Sequence, residues 1–245
     1  MVRIYVSDCS ALFEEEKYRR AFDISTEYKK NKAESLANMP DKARCIGAGL
    51  LLYHALKDYL TGQAGSEYTE LISRVKTYCV TGDKTEDMDR QHISFKELMH
   101  SVSEGSDQKG RPYLEWNESA QECSVRLPFI SISHSGSYAA VAVSDKETGI
   151  DVQEKRNISD ALKKRILSPG ERDILSGDEE KLQDAMLKIW TQKEAAAKLD
   201  GRGIFEMLPL LCENDWKEKQ GIRCFTKELP GGHYLSVASY SERNE

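Results

Sequence analysis

The sequence predicts an α+β fold of two similar lobes, each a small antiparallel sheet packed with a long helix, with a ligand cleft between them. Three observations carry that expectation. Short alternating strands cluster at 129–152 and again at 222–240, each cluster holding a glycine-containing turn. A long helical stretch accompanies each cluster, from Lys42 to about Leu60 and from about Asp178 to Leu199. The segments Gly136-Ser137-Tyr138-Ala139-Ala140-Val141-Ala142 and Gly232-His233-Tyr234-Leu235-Ser236-Val237-Ala238 share the spacing G-x-Y-x-x-V-A, each on the returning arm of a hairpin. The expected division is an N-terminal lobe over 1–146, with a polar insertion at about 80–108, and a C-terminal lobe over 147–245.

In chain order, residues 2–6 alternate as a strand, and Phe13 to about Ala37 is strongly charged and helical. Pro40 breaks that helix and Asp41 can cap the next one. The next helix carries Ile46, Leu50, Leu51, Ala55 and Leu56 on a broad apolar face and reads as a core helix. Residues 62–68 form a loop, and Thr81–Lys109 is polar around a short helix at Ser94–Val102. Phe129–Ser133 is a strand, His134–Ser137 a turn, Tyr138–Val143 the returning strand, and Thr148–Val152 a third. Ser168-Pro169-Gly170-Glu171 is a capping box with proline at the first helical position. Gly201 closes the helix that ends near Leu199. The chain finishes with a hairpin, Ile222–Leu229 and Tyr234–Tyr240, around Pro230-Gly231-Gly232.

At 245 residues the chain is long enough to bury a substantial core. A formal net charge of −6 argues against a sequence-independent nucleic-acid binder, which needs an excess of Lys and Arg to neutralise phosphates, although local basic clusters can exist inside an acidic whole. The six cysteines are scattered without a C-x-x-C pair, so they read as small buried hydrophobes in a reducing compartment. The N-terminus lacks the basic start and apolar run of a signal peptide, and no segment is long and apolar enough to span a bilayer. The expectation is a cytoplasmic monomer without membrane or nucleic-acid partners.

Two segments concentrate the chemistry. In Thr148-Gly149-Ile150-Asp151-Val152-Gln153, strand alternation puts Asp151 and Gln153 on one face and Ile150 and Val152 on the other. In Ile189-Trp190-Thr191-Gln192-Lys193-Glu194-Ala195-Ala196-Ala197-Lys198, steps of four put Trp190, Glu194 and Lys198 on one helical face. Alone, Asp151 is an edge-strand acid facing water, and Glu194–Lys198 an ordinary helical ion pair. Together, two carboxylates beside a lysine are what holds a divalent cation against phosphate. The three alanines either leave room for a ligand or simply favour helix. Elsewhere, Ser133 and His134 lie at a hairpin tip and could contact phosphate or simply form a loop. Lys109-Gly110-Arg111-Pro112 is a rigid basic turn. Arg44 stands on the apolar helix, facing solvent or an anion, and Lys29 and Lys32 are three apart on a helix.

These segments occur in an order that resembles the 4′-phosphopantetheinyl transferases. That family has a strand with G-[IV]-D followed by a helix with W-[ST]-x-K-E-[AS]-x-x-K, and this chain has both. Upstream lie Phe129-Ile130-Ser131-Ile132-Ser133-His134-Ser135-Gly136, matching F-x-I-S-H-S-G, and Gly110-Arg111-Pro112-Tyr113, matching G-[KR]-P-Y. The resemblance runs from about residue 28 to about 210 outside the insertion, and its length and layout resemble the Sfp-type, pseudo-dimeric branch. It implies transfer of the phosphopantetheine arm of coenzyme A to a serine of an apo acyl or peptidyl carrier protein. It further implies Mg2+ on Asp151 and Glu194, with Glu194 or a water it orients as general base and Lys198 on the phosphates. Gln153, whose neutral amide oxygen can still ligate the ion, makes this a two-carboxylate site with more water in the shell and weaker metal binding. Ser133, His134 and Arg44, assisted by Lys29 and Lys32, would hold the 3′-phosphate, and Arg111 would sit near the adenine. Many Sfp-type members have a third acid where this chain has neutral Gln153. The alternatives are a non-catalytic module binding coenzyme A or carriers, and another Mg2+-dependent phosphotransferase. The latter lacks a Walker-type glycine loop.

Overall fold

A computed structural model describes residues 2–61, 75–79, 95–120, 125–175 and 179–241. The chain divides into two compact units, residues 1–146 and 147–245.

In the first unit β1 (Val2–Asp8) leads through a 3-10 turn at Ser10–Phe13 into α1 (Glu15–Asp23), α2 (Glu27–Glu34) and α3 (Met39–Thr61). Then follow β2 (Val75–Cys79), α4 (Phe95–Ser101), β3 (Val102–Ser106), β4 (Pro112–Trp116), β5 (Phe129–Ser135) and β6 (Tyr138–Ser144). The main sheet is antiparallel in the order β2-β1-β6-β5, and β3-β4 forms a separate hairpin. The core helix α3 packs on β6 and β1, burying Ile46, Leu51, Leu52 and Leu56 fully.

In the second unit β7 (Thr148–Glu154) is followed by α5 (Asp160–Ile166), α6 (Pro169–Ile174), α7 (Glu179–Asp200), α8 (Ile204–Leu211) and α9 (Trp216–Gln220), then β8 (Ile222–Leu229) and β9 (His233–Tyr240). The sheet is antiparallel in the order β7-β9-β8, with Gly149 opposite Ala238, Asp151 opposite Ser236 and Gln153 opposite Tyr234. Ala195, Ala196 and Ala197 of α7 are buried with Met207, Leu211, Trp216 and Ala238. The architecture is therefore α+β with small antiparallel sheets, as the sequence predicts.

Several elements differ from expectation. The charged stretch 13–37 is two helices, because Thr26 turns extended and its side chain caps Lys29 N–H at 3.4 Å. Asn38, not Asp41, caps α3: its Oδ1 accepts the Asp41 N–H at 2.9 Å, so Pro40 sits in the first helical turn, where its missing N–H costs nothing. The segment Glu104-Gly105-Ser106, read as polar loop, is a strand paired with β4, and Gly105 lies so close to Tyr113 that a Cβ would stand 2.5 Å from its ring. The expected loop at 62–68 and residues 80–94 of the insertion lie outside the described residues. The capping box at Ser168 is present in both halves: Ser168 Oγ accepts Glu171 N–H and Glu171 Oε2 accepts Ser168 N–H. Gly201, at φ 84°, ends α7 by bonding back to the Ala197 carbonyl.

Candidate functional site

The site of the second unit is built where α7 crosses β7. Gly149 makes the crossing close: a Cβ there would stand 1.9 Å from the Ala195 carbonyl oxygen and 2.5 Å from Leu199 N. Only a residue without a side chain fits. The three alanines are themselves buried with Met207, Leu211, Trp216 and Ala238, so their small side chains pack the helix into the core of this unit. Two residues beyond Gly149, Asp151 is 2% exposed. Its Oδ1 accepts from Lys198 Nζ at 2.7 Å and its Oδ2 from Gln153 Nε2 at 2.9 Å. Asp151 and Gln153 do share a face of β7, as alternation requires.

Glu194 stands one turn before Lys198 on α7 and close to Asp151. Its carboxyl is pushed up to about 7, first by burial and then by the negative charge of Asp151; Lys198 and Arg156 pull in the opposite direction. A carboxyl raised chiefly by burial and then by a neighbouring carboxylate can accept a proton near neutral pH. Lys198 engages Asp151 with about a third (32%) of its side chain exposed, and Glu194 feels the charges of both, so the helical Glu194–Lys198 pair of the simple reading is a three-residue cluster with Asp151.

The other residues of the helical motif are structural. Trp190 is buried with Met186, Leu187 and Leu208. Thr191 Oγ1 bonds to the Leu187 carbonyl at 2.6 Å. Gln192 donates to Thr226 Oγ1 at 2.9 Å and accepts from Lys217 Nζ at 2.7 Å. Lys193, 0% exposed, donates to Glu171 Oε2 at 2.6 Å and to the Ile166 carbonyl at 2.5 Å. Glu171 also accepts from Trp216 Nε1 at 3.3 Å, so one buried cation ties α5, α6, α7 and α9 together. Lys193→Met is expected to cost about 2–3 kcal/mol, since Glu171 keeps some water contact and loses less than a fully buried partner. Urea unfolding checks this; a loss under 1 kcal/mol (~) would contradict it.

The remaining candidates lie in the first unit. Ser133 is buried and His134 exposed on β5, ahead of a two-residue turn with Gly136 at φ 56°. Arg44 on α3 donates to the Gly136 carbonyl at 2.6 Å and pairs with Asp41, while its Nε is buried without a hydrogen-bond partner. His134 is near enough to help hold the Asp41 carboxyl below its usual range, after hydrogen bonds from Arg44 and Asn38. Arg44, Ser133 and His134 therefore gather at one hairpin. Lys32 is exposed with its ammonium 5.8 Å from the Tyr28 ring. Lys29 departs from the expectation of a shared face: it is 3% exposed, bonded to Glu104 at 2.7 Å, its stem lying on Gly49 of α3. That ammonium is matched by a buried carboxylate. Arg111 lies in the turn organised by Asp107, beside a concavity of about 300 Å³ lined also by Arg126 and Phe129.

Sequence reasoning missed Arg156 and the clasp at Glu171. The signal for the first was the basic stretch directly after β7; for the second it was the capping box, read only as a helix start. Among the described residues no three or more His, Cys, Asp or Glu side chains gather as a metal-binding group. Cys9, Cys45, Cys212 and Cys224 are free thiols, and no described helix is long and apolar enough to cross a membrane.

Residues 147–242 match the model of the 4′-phosphopantetheinyl transferase superfamily, a span that holds Asp151, Gln153, Glu194 and Lys198 and continues past the motifs through β8 and β9. The chain is similar to 4′-phosphopantetheinyl transferase psf-1 of Bacillus pumilus, 39% identical over 75 residues, 30% of this chain and 32% of that protein. It is 33% identical over 96 residues to 4′-phosphopantetheinyl transferase Sfp of Bacillus subtilis (strain 168), covering 38% of this chain and 42% of that protein. A 4′-phosphopantetheinyl transferase of Bacillus subtilis is 30% identical over 135 residues, 54% of each. The chain thus resembles Sfp-type transferases, as its motifs imply, and its matches span between a third and about half of those relatives' lengths.

Proposed function

We propose, from this likeness to the 4′-phosphopantetheinyl transferase superfamily, that the chain transfers the 4′-phosphopantetheine group of coenzyme A to a serine of an apo acyl or peptidyl carrier protein, with Mg2+, releasing 3′,5′-ADP. The observation that carries the reading is the meeting of Asp151, Glu194 and Lys198 at the crossing of β7 and α7.

The donor set fits a hard divalent cation. Asp151 and Glu194 offer carboxylate oxygens, and Gln153, whose Nε2 faces Asp151, retains its amide oxygen. Glu194 is raised first by burial and then by Asp151, so a cation between the two carboxylates would relieve the second of these causes. Bound there, Mg2+ would neutralise the pyrophosphate of coenzyme A. Glu194 takes the proton of the carrier serine as the serine oxygen bonds to the β-phosphorus. The bond from that phosphorus to the 3′,5′-ADP oxygen breaks, and Lys198 stabilises the negative charge left there. Asp151 orients Lys198 for that task. Ser133, His134, Arg44 and Lys32 hold the 3′-phosphate in this reading, and the buried unpartnered Nε of Arg44 supports it. Lys29, committed to Glu104, is left out. The concavity beside Arg111 suits a flat base.

The partners are carriers of fatty-acid, polyketide or nonribosomal peptide synthesis, and the enzyme is a cytoplasmic monomer. Incubation with apo carrier, coenzyme A and Mg2+, followed by mass spectrometry, tests the reading. A phosphopantetheine-sized gain that a chelator abolishes supports it; no gain with several carriers favours the binding module instead. Gln153→Glu is expected to lower the Mg2+ concentration giving half-maximal rate, because a charged oxygen replaces a neutral one. An unchanged requirement would remove Gln153 from the metal's ligands.

A further inference from the structure

The first unit holds a cavity apart from the residues of the proposed reaction, none of which lines it. It measures about 830 Å³, the size of a small-molecule site, and lies between the end of α1, the start of α2, α4 and the β3–β4 hairpin. Its apolar walls are Ile24, Tyr28, Tyr53, Met99 and Val102, so two aromatic rings and a thioether border the space. The lining also includes Glu104, whose side chain is 2% exposed. One of its oxygens, Oε1, accepts from Lys29 Nζ at 2.7 Å, while the other, Oε2, is buried without a hydrogen-bond partner. The polar neighbours are spent within the fold. Ser25 Oγ donates to the Ala21 carbonyl at 2.8 Å, and Ser103 Oγ to Asn117 Oδ1. Burial and then the Glu104 charge push the Tyr53 hydroxyl up, so it stays protonated, and it serves the Val102 carbonyl at 2.9 Å. A buried carboxylate oxygen left unmatched is a cost to the fold that a donor from a ligand would remove.

We propose that this cavity is a separate ligand site for a neutral hydroxylated aromatic molecule, a phenol in the simplest case, whose hydroxyl donates to Glu104 Oε2. Charge selects neutrality. A cation would approach a carboxylate that Lys29 already neutralises, and an anion would meet the unpartnered oxygen. The other charged side chains of the lining balance as well. Asp23 and Glu27 stand against Lys30 and Lys96, with Lys30 bonded to Glu27 at 2.9 Å. Shape and one acceptor are left to discriminate. The rings of Tyr28 and Tyr53 offer edge and face contacts to an aromatic body, and the Met99 sulfur packs well at a ring edge. Coenzyme A, a polyanion, does not meet this description, so the site is independent of the transferase reading.

An amide-proton NMR titration of the full chain tests the site, using 4-ethylphenol and its methyl ether, 4-ethylanisole. The two probes share a body and differ in the donor. The phenol is expected to shift the amides of Ile24, Val102 and Ser103 with a Kd of about 1–10 mM, and the ether to bind about tenfold more weakly. Glu104→Gln keeps an oxygen for Lys29 and puts an amide N–H where Oε2 stood, so the preference for the phenol should vanish. Ile24→Trp, at a rim position 41% exposed, should block both probes without disturbing the core. Saturating coenzyme A should leave the Kd for the phenol unchanged. Equal affinity for the two probes, or shifts that survive Ile24→Trp, overturns the site, as does the absence of saturable shifts up to about 50 mM. A preference that survives Glu104→Gln overturns the assignment to Oε2. Displacement of the phenol by coenzyme A overturns the independence of the cavity from the reaction. Binding is read without turnover, so failure here leaves the proposed transfer standing, and failure of the transfer leaves the site.

Discussion

Glu194→Gln is expected to lower phosphopantetheine transfer by about 10²–10⁴-fold, the share a positioned general base contributes. In the metal-free protein the same substitution should be stabilising at high pH. The folded carboxyl titrates at about 7, above its ordinary 4.5. Below the ordinary value it is protonated in both folded and unfolded chains and costs nothing. Between the ordinary value and about 7 the unfolded chain ionises while the folded carboxyl stays protonated, so stability falls by up to about 3 kcal/mol as pH rises through that window, and the loss is complete above 7. Glutamine never ionises. Melting curves in EDTA from pH 5 to 8 should therefore fall for the wild type relative to Glu194→Gln and level off above about 7; parallel curves would show that the folded Glu194 carboxyl is not raised. Mg2+ should restore wild-type stability by binding the folded form, and leave the glutamine variant nearly unmoved.

Gly149→Ala is expected to be the most damaging single-atom addition in the second unit. The new Cβ would stand 1.9 Å from a backbone oxygen, and neither partner is the flexible end of a side chain. β7 and α7 must separate by more than an ångström, at a cost above about 3 kcal/mol. Separation also moves Asp151 away from Glu194 and Lys198, and a misplacement of that size lowers rates by about 10²-fold. Even where the variant folds, its turnover should fall more than its KM for coenzyme A, and its Glu194 carboxyl should titrate nearer the ordinary range. Wild-type stability and turnover in Gly149→Ala would contradict the close crossing. Lys193→Met, which loosens the same helix from its far side, is the milder companion.

Much of this was legible because local chemistry and tertiary structure agree. The G-x-Y-x-x-V-A segments fall on β6 and β9, each the returning arm of a hairpin and an inner strand of its sheet. The capping box at Ser168 and the stop at Gly201 were readable because each satisfies its own helix end. Asp151 and Gln153 shared a face because a strand's period is two. What escaped depends on partners distant in sequence. Lys29 looks like a surface lysine of a charged helix, and only the pairing of β3 with β4 places Glu104 against it. The division of 13–37 was signalled by Ser25-Thr26, yet a run of charged helix formers obscured it. The glycine of the first motif was visible, but its reason lay in the Ala195 carbonyl, more than forty residues away.

The most direct measurement is the anomalous scattering of manganese in crystals grown with Mn2+ and coenzyme A. One peak is expected between an oxygen of Asp151 and an oxygen of Glu194, at about 2.0–2.3 Å from each, with the pyrophosphate completing its shell. A peak bound elsewhere, or coenzyme A seated with no ion between those two carboxylates, would contradict it.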